Sequence, residues 1–484
     1  MTRNVVLVCL DTVRKDFFDD YAPRLRARAD VSFEQCRAAS AWSTPSHASM
    51  FTGRLPHQHG VHTHALDFTA LDRDDTFLGD LPDHRSVGVS ANVYAGSAYG
   101  FDTLFDDFLD VSRYHRFPDG LDPGAFVREH GEQGLATYTE LLRQVRDNDS
   151  PLQSLANVAL FRANDLVRHG PLDDWPELFD DGANVVLREA EKRFDDSERP
   201  FVGFLNLMDA HEPHRATRGY DDLLDDVPAT WTTEAFDNGD VVADPEAFAD
   251  DLENYRALYG TAVDYLDRKV VAFIDRVQAA TDRETTFVVT ADHGENLGTE
   301  TDEGLFGHLA SLSEGVLHVP LCIVNAPDRD EGDGGYPETV DDYASHLRLR
   351  ELLVGLANGE TPDVTAERIP AEVVGLTPNN ADVFERDPAH WDRMIRSVYD
   401  DEEKTVWDSE GGVDVYDLDH GRPCWQSRRE SGEAEAETTP TVPGWAHDLF
   451  DVDVETYKRA AKADDHQRAV DDDARGRLED LGYL

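Results

Sequence analysis

A doubly wound α/β fold is what this sequence predicts: a mostly parallel sheet flanked by helices, with a small antiparallel sheet towards the carboxyl end. Three observations predict it. Apolar runs rich in β-branched residues recur at 4–10, 200–208, 284–290 and 316–324, and each reads as a strand buried on both faces, as parallel strands under helices are. Segments with apolar spacing near 3.6 lie between them, the longest over 252–279, and strands alternating with helices wind a sheet from both sides. Short alternating runs appear only late, at 395–400, 405–407 and 413–416, which predicts a separate antiparallel sheet.

In chain order, the strand 4–10 ends in Asp11-Thr12. A carboxylate just past the carboxyl end of such a strand stands where open α/β sheets bind ligands. Short helices follow at 23–29 and 44–52. Proline fits a first helical turn, so Thr44 or Pro45 opens the second of these and Ser43 sits at or near its N-cap. The free N–H groups and positive end of that helix favour an anion, so a hydroxyl there can attack a phosphate or sulfate ester resting on it. Taken alone, Ser43 is a helix cap. A turn-rich loop spans 53–60, and 85–92 reads as a second strand and loop. From 110 to 198 the pattern is helical and very acidic, with amphipathic stretches at 135–146 and 183–194, and reads as an insertion covering the core. The strand 200–208 runs into Asp209-Ala210-His211-Glu212-Pro213-His214, and a polar stretch over 215–251 follows. The strand 284–290 delivers Ala291-Asp292-His293-Gly294-Glu295, and a loop then carries Gly307-His308.

After Pro327 comes a Gly/Asp-rich linker, a helix predicted over 341–357, the small sheet, a charged stretch at 428–441 and a short amphipathic helix over 474–484. The expected division is a catalytic α/β domain over 1–330, with 110–198 as its helical insertion, and a C-terminal subdomain over 331–484.

The 484 residues carry 99 Asp+Glu against 45 Lys+Arg, a formal net charge of −54. That surface argues against a nucleic-acid or anionic-membrane partner, both of which need basic surface. With only six lysines, the composition is similar to that of salt-in halophile proteins, whose self-repulsion salt screens. A 40% hydrophobic fraction rejects disorder for most of the chain. Cys9, Cys36, Cys322 and Cys424 have no paired spacing, so neither a zinc cluster nor a disulfide framework is expected. No signal peptide or membrane-spanning run is visible, and a cytoplasmic location is expected.

Three strands thus end in acid or acid-plus-histidine: Asp11; Asp209 with His211 and His214; and Asp292-His293. In a parallel sheet these ends converge on one edge with the Ser43 helix. Asp and His suit a divalent cation, and an anionic ester needs one to neutralise its oxygens and lower the pKa of the attacking hydroxyl.

The order Asp11, Trp42-Ser43-Thr44-Pro45-Ser46-His47 with Thr52-Gly53-Arg54, His211-Glu212-Pro213, Asp292-His293-Gly294-Glu295 and Gly307-His308 resembles the sulfatase family of the alkaline-phosphatase superfamily, over roughly residues 3–330. A weaker echo of the family's C-terminal sheet appears at 413–418. The resemblance implies a doubly wound core, one calcium or magnesium ion, and hydrolysis of a small-molecule or glycan sulfate ester. It implies Asp11, Asp292 and His293 as metal ligands, with Thr12 and Ser43 as further candidates. It makes Ser43 the nucleophile, and His211 the group that contacts the ester or protonates the leaving alcohol. His308 stands where sulfatases usually carry a sulfate-contacting lysine, and His47 is a candidate substrate contact.

The sequence departs from the family pattern at His47 and Thr12, as well as at His308. His47 replaces the arginine of the Cys/Ser-x-Pro-x-Arg motif, which argues against conversion of Ser43 to formylglycine. Thr12 stands where many sulfatases have a second metal-binding Asp, and the added histidines suit manganese or zinc. An unmodified Ser43 is closer to phosphomonoester, phosphodiester and phosphonate hydrolases or head-group transferases of the superfamily. Those often hold a second metal, for which Asp209, His211, His214 and His308 are candidates. A binding protein that has lost the chemistry is the remaining alternative.

Overall fold

The computed structural model describes residues 2–130, 135–168, 170, 172, 174–194, 199–221, 223–236, 238–308, 310–327, 336–376, 388–429, 440–465 and 472–480. The linker expected over 328–335, most of the charged stretch 428–441 and the last four residues lie outside these.

The α/β core expected from the apolar runs is observed. Its strands are β1 (Asn4–Leu10), β2 (Val31–Arg37), β3 (Arg85–Ser90), β4 (Asp107–Asp110), β5 (Phe201–Leu207), β6 (Thr285–Thr290), the small hairpin β7 (Asn296–Leu297) and β8 (Phe306–Gly307), then β9 (Leu321–Val324), β10 (Thr339–Ser345) and β11 (Thr365–Ala366). Among the described residues nine of these form one sheet, in the order β11-β10-β2-β9-β6-β1-β5-β3-β4. β1, β5, β6, β3 and β4 pair in parallel, as do β2 and β10, while β9 runs antiparallel to both β2 and β6. β1 and β5 are buried along their whole length, which is why they are apolar on both faces. The helix Ala183–Arg193 packs on β3 and β5 and against the long helix Ala249–Ala280, while the helix Leu349–Asn358 lies on β1 and β6 and touches the helix Ser43–Thr52. Helices thus cover both faces of the sheet.

Several elements differ from the sequence reading. Residues 341–345 are strand, because β10 pairs in parallel with β2 and that pairing outweighs the local pattern; the helix starts at Leu349. The run 316–324 is a helical turn, Glu314–Leu317, before β9 starts at Leu321. The Ser43–Thr52 helix begins at Ser43 itself, with Trp42 at the N-cap, and stops at Gly53, whose φ of 70° is left-handed.

The small sheet consists of β12 (Arg368–Val374), β13 (Met394–Asp400), β14 (Glu403–Asp408), β15 (Val413–Leu418) and β16 (Gln426–Arg428), an antiparallel meander. The C-terminal helix Asp472–Asp480 buries Ala474 and Leu478 in the main core. No helix among the described residues is long and apolar enough to cross a membrane.

A buried charge cluster joins the two sheets. Glu314 accepts from Arg37 Nε of β2 at 2.9 Å, from Tyr399 Oη of β13 at 2.7 Å and from Lys404 Nζ of β14 at 3.0 Å. Burial would raise the Glu314 pKa, but Arg37 and Lys404 outweigh it and hold the carboxyl down at about 2. A depressed folded-state pKa stabilises the fold above the unfolded value and is lost as pH falls through the folded one. Glu314→Gln leaves Arg37 and Lys404 buried without their counter-charge, and is expected to cost about 3 kcal/mol of unfolding free energy. Denaturant titration checks this, and the difference from the parent should shrink between pH about 4.5 and about 2.

Candidate functional site

The register of the central strands builds the site. β1 lies between β5 and β6, with Cys9 opposite Asn206 on one side and Thr290 on the other. Asp11 and Asp292 therefore leave the same edge side by side. Each carboxylate has one oxygen paired and one bare. Asp11 Oδ2 accepts from Asn92 Nδ2 at 2.7 Å and Asn206 Nδ2 at 3.0 Å, while its Oδ1 is buried with no hydrogen-bond partner. Asp292 Oδ1 accepts from the backbone N–H of Thr12 at 3.3 Å and of His293 at 3.0 Å, while its Oδ2 is equally bare.

His293 Nδ1 is 2.9 Å from the Gly294 carbonyl, which accepts its proton and leaves Nε2 as an acceptor, 3.4 Å from Asp292 Oδ2. Burial, then the nearby His308, lowers the His293 pKa to about 3, so the ring is neutral. One ligand atom from each of Asp11, Asp292 and His293 lies within 4.8 Å of the others. Leaving even a neutral buried polar group unpaired costs about 1–3 kcal/mol. Two bare carboxylate oxygens facing an imidazole lone pair are a set of acceptors without a donor, and a divalent cation fits it.

Ser43 Oγ adjoins this cluster. It accepts from Asn92 Nδ2 at 3.0 Å and is 3.4 Å from His293 Nε2. One amide group thus donates to both Asp11 and Ser43. Ser46, one turn along, donates to the Asp292 carbonyl at 2.7 Å and fixes the helix against the β6 end.

His308 Nδ1 is 3.2 Å from Glu295 Oε2. Burial opposes its charge, yet Glu295 prevails and holds the imidazolium up to about 9. The ring centres of His211 and His293 lie 5.1 and 4.8 Å from that of His308, so three histidines adjoin one another beside the acids. His211 donates from Nδ1 to the Glu212 carbonyl at 2.6 Å. Burial, then Glu295, raises the Glu212 carboxyl above its usual range.

Other residues singled out from sequence are placed differently. The Thr12 hydroxyl donates towards the Asp11 and Ala210 carbonyls, 2.7 and 2.9 Å away, rather than facing the acids. His47 is fully buried on the core side: Nδ1 donates to the Ser43 carbonyl at 2.7 Å, Nε2 accepts from Asn206 at 3.1 Å, and the ring packs edge-on against Phe101 and Phe204. Asp209 accepts from the backbone N–H groups of Asp181 and Ala183, at 3.3 and 3.2 Å, at the start of the Ala183–Arg193 helix. His214 packs edge-on against Tyr255, with ring centres 4.6 Å apart. Among the described residues the clusters able to hold a metal are Asp11–Asp292–His293 and Cys9–His47–Asp292, and neither contains Asp209 or His214.

Asn92, Asn206 and Glu295 escaped the sequence reading as site residues. Asn206 left a signal, since it is an amide inside an otherwise apolar strand, Phe-Val-Gly-Phe-Leu-Asn-Leu. Glu295 stood in the quoted motif without a partner, and nothing local marks Asn92.

A family model described as Sulfatase matches residues 3–359. A choline-sulfatase of Rhizobium meliloti (strain 1021) is 23% identical over 345 residues, 66% of this chain and 62% of that protein, so the chain spans less than two thirds of that relative's length. The phosphonate monoester hydrolase of Agrobacterium radiobacter superposes with a TM-score of 0.56 at 17% identity, covering 86% of this chain and 89% of that one. A putative sulfatase from Bacteroides thetaiotaomicron VPI-5482 gives 0.52 at 14% identity, covering 99% and 96%. At such identities the structural likeness is one of fold.

Asn92→Ala is expected to weaken divalent-cation binding by about ten- to hundred-fold, because it removes a hydrogen bond that orients Asp11. Isothermal titration of the metal-stripped protein with manganese or calcium measures this.

Proposed function

Because the chain belongs to the sulfatase family, we propose that it is a metal-dependent hydrolase of sulfate esters in which the Ser43 hydroxyl attacks the sulfur. The observation that carries this reading is the pair of bare carboxylate oxygens on Asp11 and Asp292, converging with His293 beside Ser43 Oγ. Asp11, Asp292 and His293 would hold one divalent cation: calcium or magnesium by likeness to the family, manganese or zinc by the imidazole in the set. When bound, such an ion supplies charge neutralisation for the ester and a lowered pKa for the hydroxyl.

The chain's own groups do the rest. Asn92 donates to Ser43 Oγ, which steadies negative charge on that oxygen once its proton has passed to solvent; as Oγ bonds the sulfur the ester S–O bond to the alcohol breaks, and water then releases sulfate from Ser43. The first turn of the Ser43–Thr52 helix offers N–H groups to the anionic ester. His308, kept cationic by Glu295, draws off charge from the ester oxygens. His211, next to it, is the group we assign to protonating the departing alcohol. His47 acts from behind, joining the Ser43 carbonyl to Asn206 and through it to Asp11.

A second reading has one observation in its favour. His47, in the arginine's place, is buried between Phe101 and Phe204, and an unmodified Ser43 suits phosphonate or phosphate esters as well as sulfates. The named activity of the Agrobacterium radiobacter structure is of that class. Peptide mass spectrometry on Ser43, with parallel assays on an aryl sulfate and an aryl phosphonate, separates the two. A binding protein without chemistry would show neither turnover nor cation uptake.

Ser43→Ala is expected to lower aryl-ester turnover by about 10⁴-fold or more while leaving cation binding intact. His308→Ala is expected to lower kcat by about 10²- to 10³-fold, with His308→Lys recovering part of the loss, since a lysine restores the positive charge without the ring. Steady-state kinetics in molar salt read both.

A further inference from the structure

The described residues hold nine large hydrophobic side chains that are exposed, and seven of them fall between 138 and 175. They belong to the helical insertion, three of them to the helix Pro151–Arg168. That helix is turned inside out. Three of its polar residues face the protein: Asn157 donates to the Phe117 and Leu121 carbonyls, Ser154 accepts from the Leu121 N–H, and Asn164 accepts from the Leu178 N–H. Its leucines face outward, with Leu152 82%, Leu155 53% and Leu166 51% exposed. Ordinary surface helices do the reverse.

The outward residues follow one line. Leu152, Leu155, Ala159, Arg162 and Leu166 are spaced three, four, three and four apart, the spacing of a helix–helix seam. The two end leucines, Leu152 and Leu166, lie seven residues to either side of Ala159. An antiparallel copy of the same helix, related by a two-fold axis at Ala159, would set Leu152 against Leu166 of its mate in both directions and let the backbones approach at the small residue. A surface that matches itself under a two-fold axis is what a symmetric dimer requires.

Charge points to the same occupant. Two copies of a chain with net charge −54 repel almost everywhere. Residues 135–168 carry no net charge, since their four arginines balance four acids. Several of these pair within their own helix: Arg143 with Glu140 and Asp147, and Arg162 with Asp165. The neutral face is therefore also the apolar one. We propose that the outer face of the Leu135–Asp147 and Pro151–Arg168 helices binds a second copy of this chain, the Pro151–Arg168 helices crossing antiparallel at Ala159.

Sedimentation velocity of the full chain in molar salt tests this, together with oxidation of Ala159→Cys. The four native cysteines are buried, so the new thiol is the one placed to meet its mate. Expected are twice the monomer mass for the parent, a shift to monomer in Leu155→Glu and Leu166→Glu, no shift in the still more exposed control Leu223→Glu, and a covalent dimer from Ala159→Cys. Three results overturn the proposal: a parent monomeric throughout with no cross-link from Ala159→Cys; a dimer that survives both Glu substitutions; or a monomer that instead floats with phosphatidylcholine vesicles. Should the Glu variants fail to fold, the cross-link alone decides.

Discussion

Two carboxylates, each with one oxygen satisfied and the other left bare, set the terms for the rest of this structure. A buried acid with both oxygens paired is an ordinary structural element, and one with neither paired would take up a proton or disrupt the fold. Asp11 and Asp292 stand between these cases. Amides from Asn92 and Asn206 grip one, and backbone N–H groups of Thr12 and His293 grip the other. The unpaired oxygens are thereby held in place rather than free to swing towards a donor. Thr12 takes a left-handed φ of 60° while serving as one of those donors, a conformation uncommon for a branched residue and maintained by the contacts around it. The parallel register of β5, β1 and β6 is what brings every one of these groups to a single edge.

The acid ends of strands were legible in the sequence because each follows an apolar run, and the resemblance in the motifs supplied their order. What could not be read was which acids share a partner. Asp209 and Asp11 look alike in sequence, each directly after or one residue beyond a buried strand. In space Asp209 accepts from the start of a helix almost thirty residues upstream, whereas Asp11 meets amides from β5 and from the loop after β3. That difference rests on contacts between distant segments, for which a single sequence carries no mark. His47 was hidden for a related reason: a histidine one turn after Ser43 reads as a second site residue, and only the packing of Phe101 and Phe204 against its ring shows which way it faces. β10 was missed because its Asp341-Asp342 pair hides a pairing with β2 that is decided by the neighbour rather than by local preference.

With more than twice as many acids as bases, the chain concentrates its cations where they do most. Arg37 and Lys404 converge on Glu314 between the two sheets. Arg113 bridges Glu177 and Asp181 at 2.7 and 2.9 Å, and Arg215 joins the same Glu177 at 3.3 Å, where the insertion meets the segment after His211. Such buried pairs are poorly screened by salt, unlike the surface acids, whose mutual repulsion falls as ions are added. Ionic strength therefore acts on the outside of this molecule and leaves its internal joints alone.

The hydrogen bond from the Thr12 amide to Asp292 joins residues 280 positions apart, and this bears on how the molecule is made. During synthesis Asp11 and Ser43 leave the ribosome long before Asp292 and His293 exist. For most of that interval Asp11 and the Thr12 amide have no counterpart at the edge of the sheet. The edge is complete only when β6 lies beside β1, so the groups that meet there cannot do so until about three fifths of these 484 residues have been made.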